Sequence, residues 1–99
     1  MGPFYKEINI WERHSDSEAV CYRCFEILPE GKYCVQSSDF FRKATSPKHL
    51  TQLERQFIEL LIEEAPEKRS PVFPTLQEAI ERHKLDFEPL SYDKSLKAL

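Results

Sequence analysis

The sequence predicts an α+β fold in which a three-stranded antiparallel meander is followed by two α-helices packed on one face of the sheet. Three observations predict it. Residues 4–13 alternate between apolar and polar side chains, and residues 19–41 hold two runs of β-forming side chains around a Pro-Glu-Gly turn. Residues 51–86 carry two capped amphipathic segments. The 99 residues fit a single domain, 1–99, with a tail from 87 to 99 that either docks or is flexible.

The first strand is predicted over residues 4–13. Successive side chains of a strand point to opposite faces, so Ile8 and Ile10 lie on one side while Trp11 lies on the other. This alternation is typical of a half-buried strand. The polar residues 14–18 form the turn that follows.

The second and third strands are predicted to form a hairpin over residues 19–41. Gly31 closes its turn in the left-handed conformation, which a residue without a side chain adopts without strain. The expected register pairs Phe25 with Val35 and Cys24 with Gln36. Register matters here because a slip of one residue moves every side chain of a strand to the opposite face.

That register sorts the sheet into two unlike faces. The inner face, which the helices are expected to cover, collects Ile8, Ile10, Cys21, Phe25, Ile27, Tyr33 and Val35. The outer face collects Glu7, Asn9, Trp11, Arg13, Tyr22, Cys24, Glu26, Cys34, Gln36 and Ser38. A mostly apolar face opposite a mixed polar and aromatic face predicts a sheet covered on one side only.

Two helices are predicted after the sheet. The first begins at the capping box Thr51–Glu54, with Ser46-Pro47 as a competing start one turn earlier, and it ends before Pro66. The second opens with the capping box Thr75–Glu78 and runs to Asp86. Both carry apolar side chains at the spacing of one helix face, so both are expected to pack on the sheet.

Charge and hydropathy exclude several classes of protein. The formal net charge is −3 and no basic stripe is visible, which argues against nucleic-acid binding. No apolar run reaches the roughly 20 residues of a membrane span, and the N-terminus has no apolar signal-peptide core. Only two glycines are present, and they form no phosphate-binding loop. We therefore expect a cytoplasmic protein that has no membrane association and no cofactor.

The three cysteines suggest a metal or redox site by spacing but not by context. Cys21 and Cys24 have the CxxC spacing, yet in a strand their side chains point to opposite faces, and no fourth ligand is evident. We expect ordinary thiols and no metal. The expected register places Cys24 and Cys34 on one face as diagonal neighbours, which leaves a redox role for that pair open.

The outer face is the predicted binding surface. Aromatic and arginine side chains are enriched where proteins bind one another. The leading hypothesis is a non-catalytic interaction module that binds a protein partner or a second copy of itself. The predicted binding residues are Trp11, Arg13, Tyr22, Glu26 and Gln36.

Two other functions remain open. A small enzyme or ligand-binding protein would have its pocket between helices and sheet, and the polar side chains available to it are Cys21, Arg23, Tyr33 and His83. A single-stranded nucleic acid could stack on Trp11 and Tyr22. We assign no catalytic or metal-binding residue.

Overall fold

The computed structural model describes residues 3–87. Its elements are β1 (Phe4–Arg13), β2 (Glu18–Leu28), β3 (Lys32–Arg42), α1 (Pro47–Glu63), α2 (Pro66–Arg69) and α3 (Leu76–Phe87). The strands form one antiparallel sheet in the order β1-β2-β3. The predicted α+β class, a meander followed by helices that pack against it, is confirmed. The predicted tail lies outside the described residues, apart from its first residue.

The central strand differs from β1 in burial. Residues 20–25 of β2 are all buried, whereas β1 alternates between exposed and half-buried positions. A strand buried at successive positions is covered on both faces, because its side chains point alternately to each. The sheet therefore has no bare face at its centre.

The helices occupy opposite faces, so the prediction that both pack on one face is wrong. Ala79 of α3 joins a buried cluster with Val20, Tyr22, Cys24 and Val35. Phe57 of α1 joins a second cluster with Phe25, Ile27 and Cys34. The two clusters take alternate residues of β2, and each apolar face needs a cover of its own.

The β2–β3 register agrees with the prediction from the pair Glu18 and Arg42, at the open end of the hairpin, to the pair Arg23 and Ser37. A register shift then leaves Gln36 as an extra residue, and Cys24 lies opposite Val35. The predicted pairings of Cys24 with Gln36 and of Phe25 with Val35 are wrong by one residue, because an inserted residue in one strand displaces the pairing beyond it. Gly31 has a φ of 69°, the left-handed conformation that was predicted.

The predicted face of β1 relative to β2 is also wrong. Ile10 lies opposite Tyr22, and Trp11 lies opposite Cys21. The isoleucines of β1 therefore share a face with Tyr22, and Trp11 shares a face with Cys21. The turn sets this register through a hydrogen bond from the His14 N–H to the Glu18 carbonyl oxygen, 3.0 Å long.

Local capping explains where the helices start. The Ser46 hydroxyl oxygen accepts a hydrogen bond from the backbone N–H of His49 at 3.2 Å, and Pro47 is the first residue of α1. The earlier of the two predicted starts is therefore the one used. The Thr75 hydroxyl oxygen accepts from the Glu78 N–H at 3.1 Å ahead of α3.

The connection from α1 to α3 passes around the outer edge of β3. There Tyr33 and Phe73 exchange two backbone hydrogen bonds of 2.8 Å each. This bridge carries the chain from the α1 face to the α3 face and partly occupies that edge of the sheet. Among residues 3–87, no helix combines the length and the apolar character needed to cross a bilayer.

Candidate functional site

An open cleft of about 410 Å³ lies on the α1 face, between the end of the sheet and the N-terminal half of α1. We call it the Trp11 cleft. Its lining residues are Asn9, Trp11, Cys21, Arg23, Asp39, Phe41, Arg42, Thr45, Leu50, Leu53 and Glu54. The cleft exists because α1 crosses the face over the hairpin end of the sheet and leaves the other end uncovered.

One wall of the Trp11 cleft is apolar and accessible. Trp11 is 59% exposed, and its ring lies 5.3 Å from that of Phe41, centroid to centroid. Phe41 pairs with Ala19 on β2, so a small side chain stands on the strand between the two rings. Leu50 of α1 lines the same cleft and is also exposed. An exposed tryptophan held by a second aromatic ring is a preordered apolar contact surface.

The floor of the cleft is charged. The guanidinium of Arg23, a residue only 6% exposed, donates to Glu54 at 2.9 Å and to Glu7 at 3.2 Å. A third carboxylate, that of Asp39, lies 3.9 Å from Nη1. The guanidinium carbon lies 3.9 Å from the centroid of the Phe57 ring. Arg23 is thus fixed between a carboxylate cluster and an aromatic ring.

The charge of this cluster does not balance. Three carboxylates surround one guanidinium, so the cluster keeps an excess of negative charge. Burial raises the pKa of Asp39 even though Arg23 lowers it, because desolvation disfavours the charged carboxylate. At the rim, Arg42 is paired with Glu18 at 3.4 Å and offsets little of this excess. The part of the cleft next to Glu54 and Asp39 therefore favours a cationic group, whereas Arg42 lines the rim.

The five predicted binding residues do not form one surface. Trp11 and Arg13 are exposed on the α1 face. Gln36 is buried, and its Nε2 donates to the Phe57 carbonyl oxygen at 3.1 Å. Tyr22 is 1% exposed, and Glu26 is half-buried, both on the α3 face. The burial of Tyr22 also removes one of the two rings that the nucleic-acid hypothesis needs for stacking.

The residues that sequence reasoning missed come from β3 and α1. They are Asp39, Phe41, Leu50, Leu53 and Glu54. The position of Arg23 in an apolar strand could have predicted part of this set. An arginine inside an apolar strand needs carboxylate partners if it is buried, and Glu54 lies on the predicted helix.

The four side chains of the predicted enzyme pocket are divided between the two faces. Cys21 and Arg23 line the Trp11 cleft, whereas His83 lines a smaller cavity of about 130 Å³ beside α3. Tyr33 is partly buried in the cluster under α3. Burial raises the pKa of the Cys21 thiol, which keeps it protonated and weakly nucleophilic. The four side chains therefore form no common constellation.

The other two thiols lie on opposite faces. Cys24 belongs to the cluster under α3, and Cys34 to the cluster under α1, so the prediction that they share a face is wrong. Burial raises the pKa of Cys24 to about 12 and that of Cys34 to about 11. Within residues 3–87, no three His, Cys, Asp or Glu side chains are grouped so that they could hold a metal ion.

Comparison with protein-family models, curated proteins and solved structures finds no match. The function must therefore be argued from the geometry of the cleft and the chemistry of its side chains.

Proposed function

We propose that this protein is a non-catalytic interaction module that binds a segment of a partner protein in the Trp11 cleft. The observation that carries the proposal is an exposed tryptophan beside a cluster of three carboxylates that surrounds the buried Arg23 and has excess negative charge. The segment that fits this chemistry carries a lysine or arginine next to an apolar side chain.

The apolar half of the segment binds the wall of the cleft. Trp11, Phe41 and Leu50 offer a contiguous apolar surface that is already ordered, so little side-chain entropy is lost on binding. Tryptophan is among the residues whose truncation weakens interfaces most, commonly by about 2 kcal/mol or more. Trp11 is accordingly the expected anchor.

The basic half of the segment binds near Glu54. The Glu54 side chain is 57% exposed although it already accepts from Arg23, so one of its oxygens remains accessible to a second cation. A guanidinium or ammonium group in the cleft can also lie over the face of Trp11, which adds a cation–π contribution of about 0.5–1 kcal/mol at an exposed site. Charge complementarity thus favours a basic segment over an acidic one.

The test is to select binders of the purified protein from a library of displayed random peptides. The selected peptides are then synthesised and titrated against the protein. Trp11 is the one tryptophan of the chain, so its fluorescence reports directly on occupancy of the cleft. We expect selected peptides to share a basic residue within a few positions of an apolar one. Calorimetry then compares Trp11→Ala and Glu54→Gln with the parent chain, and both are expected to weaken binding by at least tenfold.

The matched control is Phe4→Ala, which removes another exposed aromatic side chain of the same strand on the opposite face. It is expected to leave peptide affinity unchanged. Selection of acidic peptides, or undiminished affinity in a folded Trp11→Ala variant, would contradict the proposal.

A further inference from the structure

The outer edge of β1 is long, regular and open. All ten residues of β1 pair with β2 without a register shift. Among residues 3–87, no backbone group outside β2 hydrogen-bonds to the backbone of β1. The outer edge of β3 differs, since it carries the extra residue Gln36 and the bridge between Tyr33 and Phe73.

Open edges of this kind are usually blocked. Natural proteins protect them with proline, with bulges, with very short strands or with charges that repel a second strand. Within β1 there is neither a proline nor a bulge, and its charged side chains are Lys6, Glu7, Glu12 and Arg13. Whether these charges block pairing depends on which of them face each other.

The charges of β1 are complementary to β1 itself. When two copies run antiparallel about a two-fold axis at Asn9, Lys6 lies opposite Glu12 of the second copy, whose carboxylate also accepts from Lys84 of its own chain, and this pair of opposite charges occurs twice. In the same register Ile8 lies opposite Ile10 of the second copy, and Tyr5 lies opposite Arg13. Opposite charges and paired apolar side chains are the cross-strand contacts that stabilise antiparallel sheets.

The neighbouring symmetric registers lose these contacts. Centring the axis on Ile8 places Lys6 opposite Ile10, and centring it on Ile10 places Ile8 opposite Glu12. Each of these shifts sets a charged side chain against an isoleucine. Centring the axis on Ile10 also creates an opposite-charge pair, Glu7 with Arg13, so charge alone does not choose between those two registers. The axis at Asn9 is favoured because it is the one of the three in which both isoleucines lie opposite an isoleucine.

We propose that two copies of this chain pair their β1 strands antiparallel about Asn9 and form one continuous six-stranded sheet. Each unpaired N–H and C=O group on the joined edges gains a partner, and Ile8 and Ile10, which are half-buried in one copy, become more buried. In this register Glu7 also lies opposite Trp11 of the second copy on the α1 face, so the dimer edge borders the Trp11 cleft. The two proposals remain distinguishable because peptide binding needs one copy of the chain, whereas the dimer needs two.

Sedimentation velocity of the full chain over a range of concentrations provides the first test. A concentration-dependent dimer is expected. Lys6→Glu sets like charges opposite each other at two symmetric positions, so it should weaken the dimer at least tenfold in Kd. Lys32→Glu makes the same charge change at an exposed position away from β1 and should leave Kd unchanged. A monomer at every concentration, or a dimer that tolerates Lys6→Glu, would overturn the proposal.

Disulfide crosslinking tests the register. Residues directly opposite in an antiparallel pair have Cα atoms about 4.5–5.5 Å apart, within reach of a disulfide. Asn9 is the position that faces itself, so Asn9→Cys should give a covalent dimer under mild oxidation. Glu7→Cys, also exposed and two residues away, should not. Crosslinking at both positions or at neither would refute the register.

Peptide titration of the Lys6→Glu variant separates the two proposals. Trp11 fluorescence in that variant reports on the cleft alone. If the parent chain dimerises and the Lys6→Glu variant is a monomer that still binds the selected peptides, both proposals are supported. If the parent chain is itself a monomer but binds the peptides, the dimer proposal alone is overturned.

Discussion

The two faces of the sheet are covered in different ways. On the α3 face, Val20, Tyr22, Cys24 and Val35 pack with Ala79 into a continuous apolar cluster. On the α1 face, the apolar cluster around Phe57 covers only the hairpin end, and the carboxylate cluster and the open cleft follow it. The α3 face is covered over its centre, whereas the α1 face is covered over about half its length.

The difference separates stability from accessibility. A sealed apolar face stabilises the fold through burial, but it offers nothing for another molecule to contact. A helix that ends part of the way along a face leaves side chains such as Trp11 ordered and accessible. The α1 face therefore contributes to stability at one end and provides the candidate site at the other, and the following variants test that division.

Phe25→Ala should have the largest effect. Phe25 is buried, it stacks on Phe57 with ring centroids 5.3 Å apart, and it meets the edge of Tyr5 at 5.8 Å. Removing such a ring leaves a cavity, and the free energy of unfolding should fall by about 3–5 kcal/mol. Urea denaturation measures this loss. The matched control is Phe4→Ala, whose ring is 68% exposed and should cost less than about 1 kcal/mol. Equal losses of unfolding free energy in Phe25→Ala and Phe4→Ala would mean that α1 does not cover the hairpin end of the sheet.

Arg23→Met should have the next largest effect. The methionine keeps the apolar contact with Phe57 but leaves Asp39, whose side chain is 12% exposed, without its cation. An uncompensated buried charge should lower the free energy of unfolding by about 2–4 kcal/mol. The double variant Arg23→Met/Asp39→Asn should recover most of the loss, because the stranded charge is removed as well. If the double variant is no more stable than the single one, the cost arises from packing instead.

The pH dependence of stability should report on Glu12. Lys84 donates to Glu12 at 2.7 Å and, with His14 and Tyr22, lowers its pKa below the ordinary value of 4.5. A carboxyl whose pKa is lower in the folded state stabilises the fold above the unfolded pKa, and this stability is lost as the pH falls. Because Glu12 is partly exposed, the loss should stay near or below about 1 kcal/mol.

Urea denaturation between pH 6 and pH 3 measures that loss, with Glu12→Gln as the comparison. Asp39, whose pKa is raised, changes stability in the opposite direction in both proteins, so the difference between them isolates Glu12. Parallel pH profiles for the two proteins would show that the contact with Lys84 contributes nothing.

The smallest expected effect is a difference in alkylation rate between the three cysteines, which lie on different faces of the sheet. Cys24 and Cys34 are fully buried with strongly raised pKa values, so both should react only through unfolding. Cys21 lines the Trp11 cleft and retains slight exposure, so it should react first. Mass spectrometry of peptides after timed treatment with iodoacetamide gives the order. Faster reaction at Cys24 would show that the α3 face opens more readily than the cleft.

The three strands and the two longer helices could be predicted from the sequence because each depends on local signals, whereas the four-residue helix α2 was not predicted. The alternation of β1, the left-handed Gly31 and the caps at Ser46 and Thr75 act within a few residues. The exposure of Trp11 was also predicted correctly, since Ile8 and Ile10 on the other face are more buried.

The arrangement of the site could not be predicted because it depends on pairings between elements. The extra residue at Gln36 and the turn after β1 set which side chains share a face, and neither has a clear sequence signature here. Tyr22 moved from the expected surface into the core because α3 covers the face of β2 that was expected to be open. The partners of Arg23 come from three separate elements, which a pattern read along one strand does not bring together.

The meander also has a consequence for how the chain folds. Among residues 3–87, each strand pairs with the strand next to it in sequence, and no strand-to-strand pair joins residues farther apart along the chain than Phe4 with Leu28 or Glu18 with Arg42. Loops this short lose little entropy on closing, and folds rich in local contacts cross their rate-limiting barrier quickly. We expect the three strands to assemble as a nucleus on which α1 and α3 then condense from opposite sides, with single-exponential refolding in stopped-flow experiments.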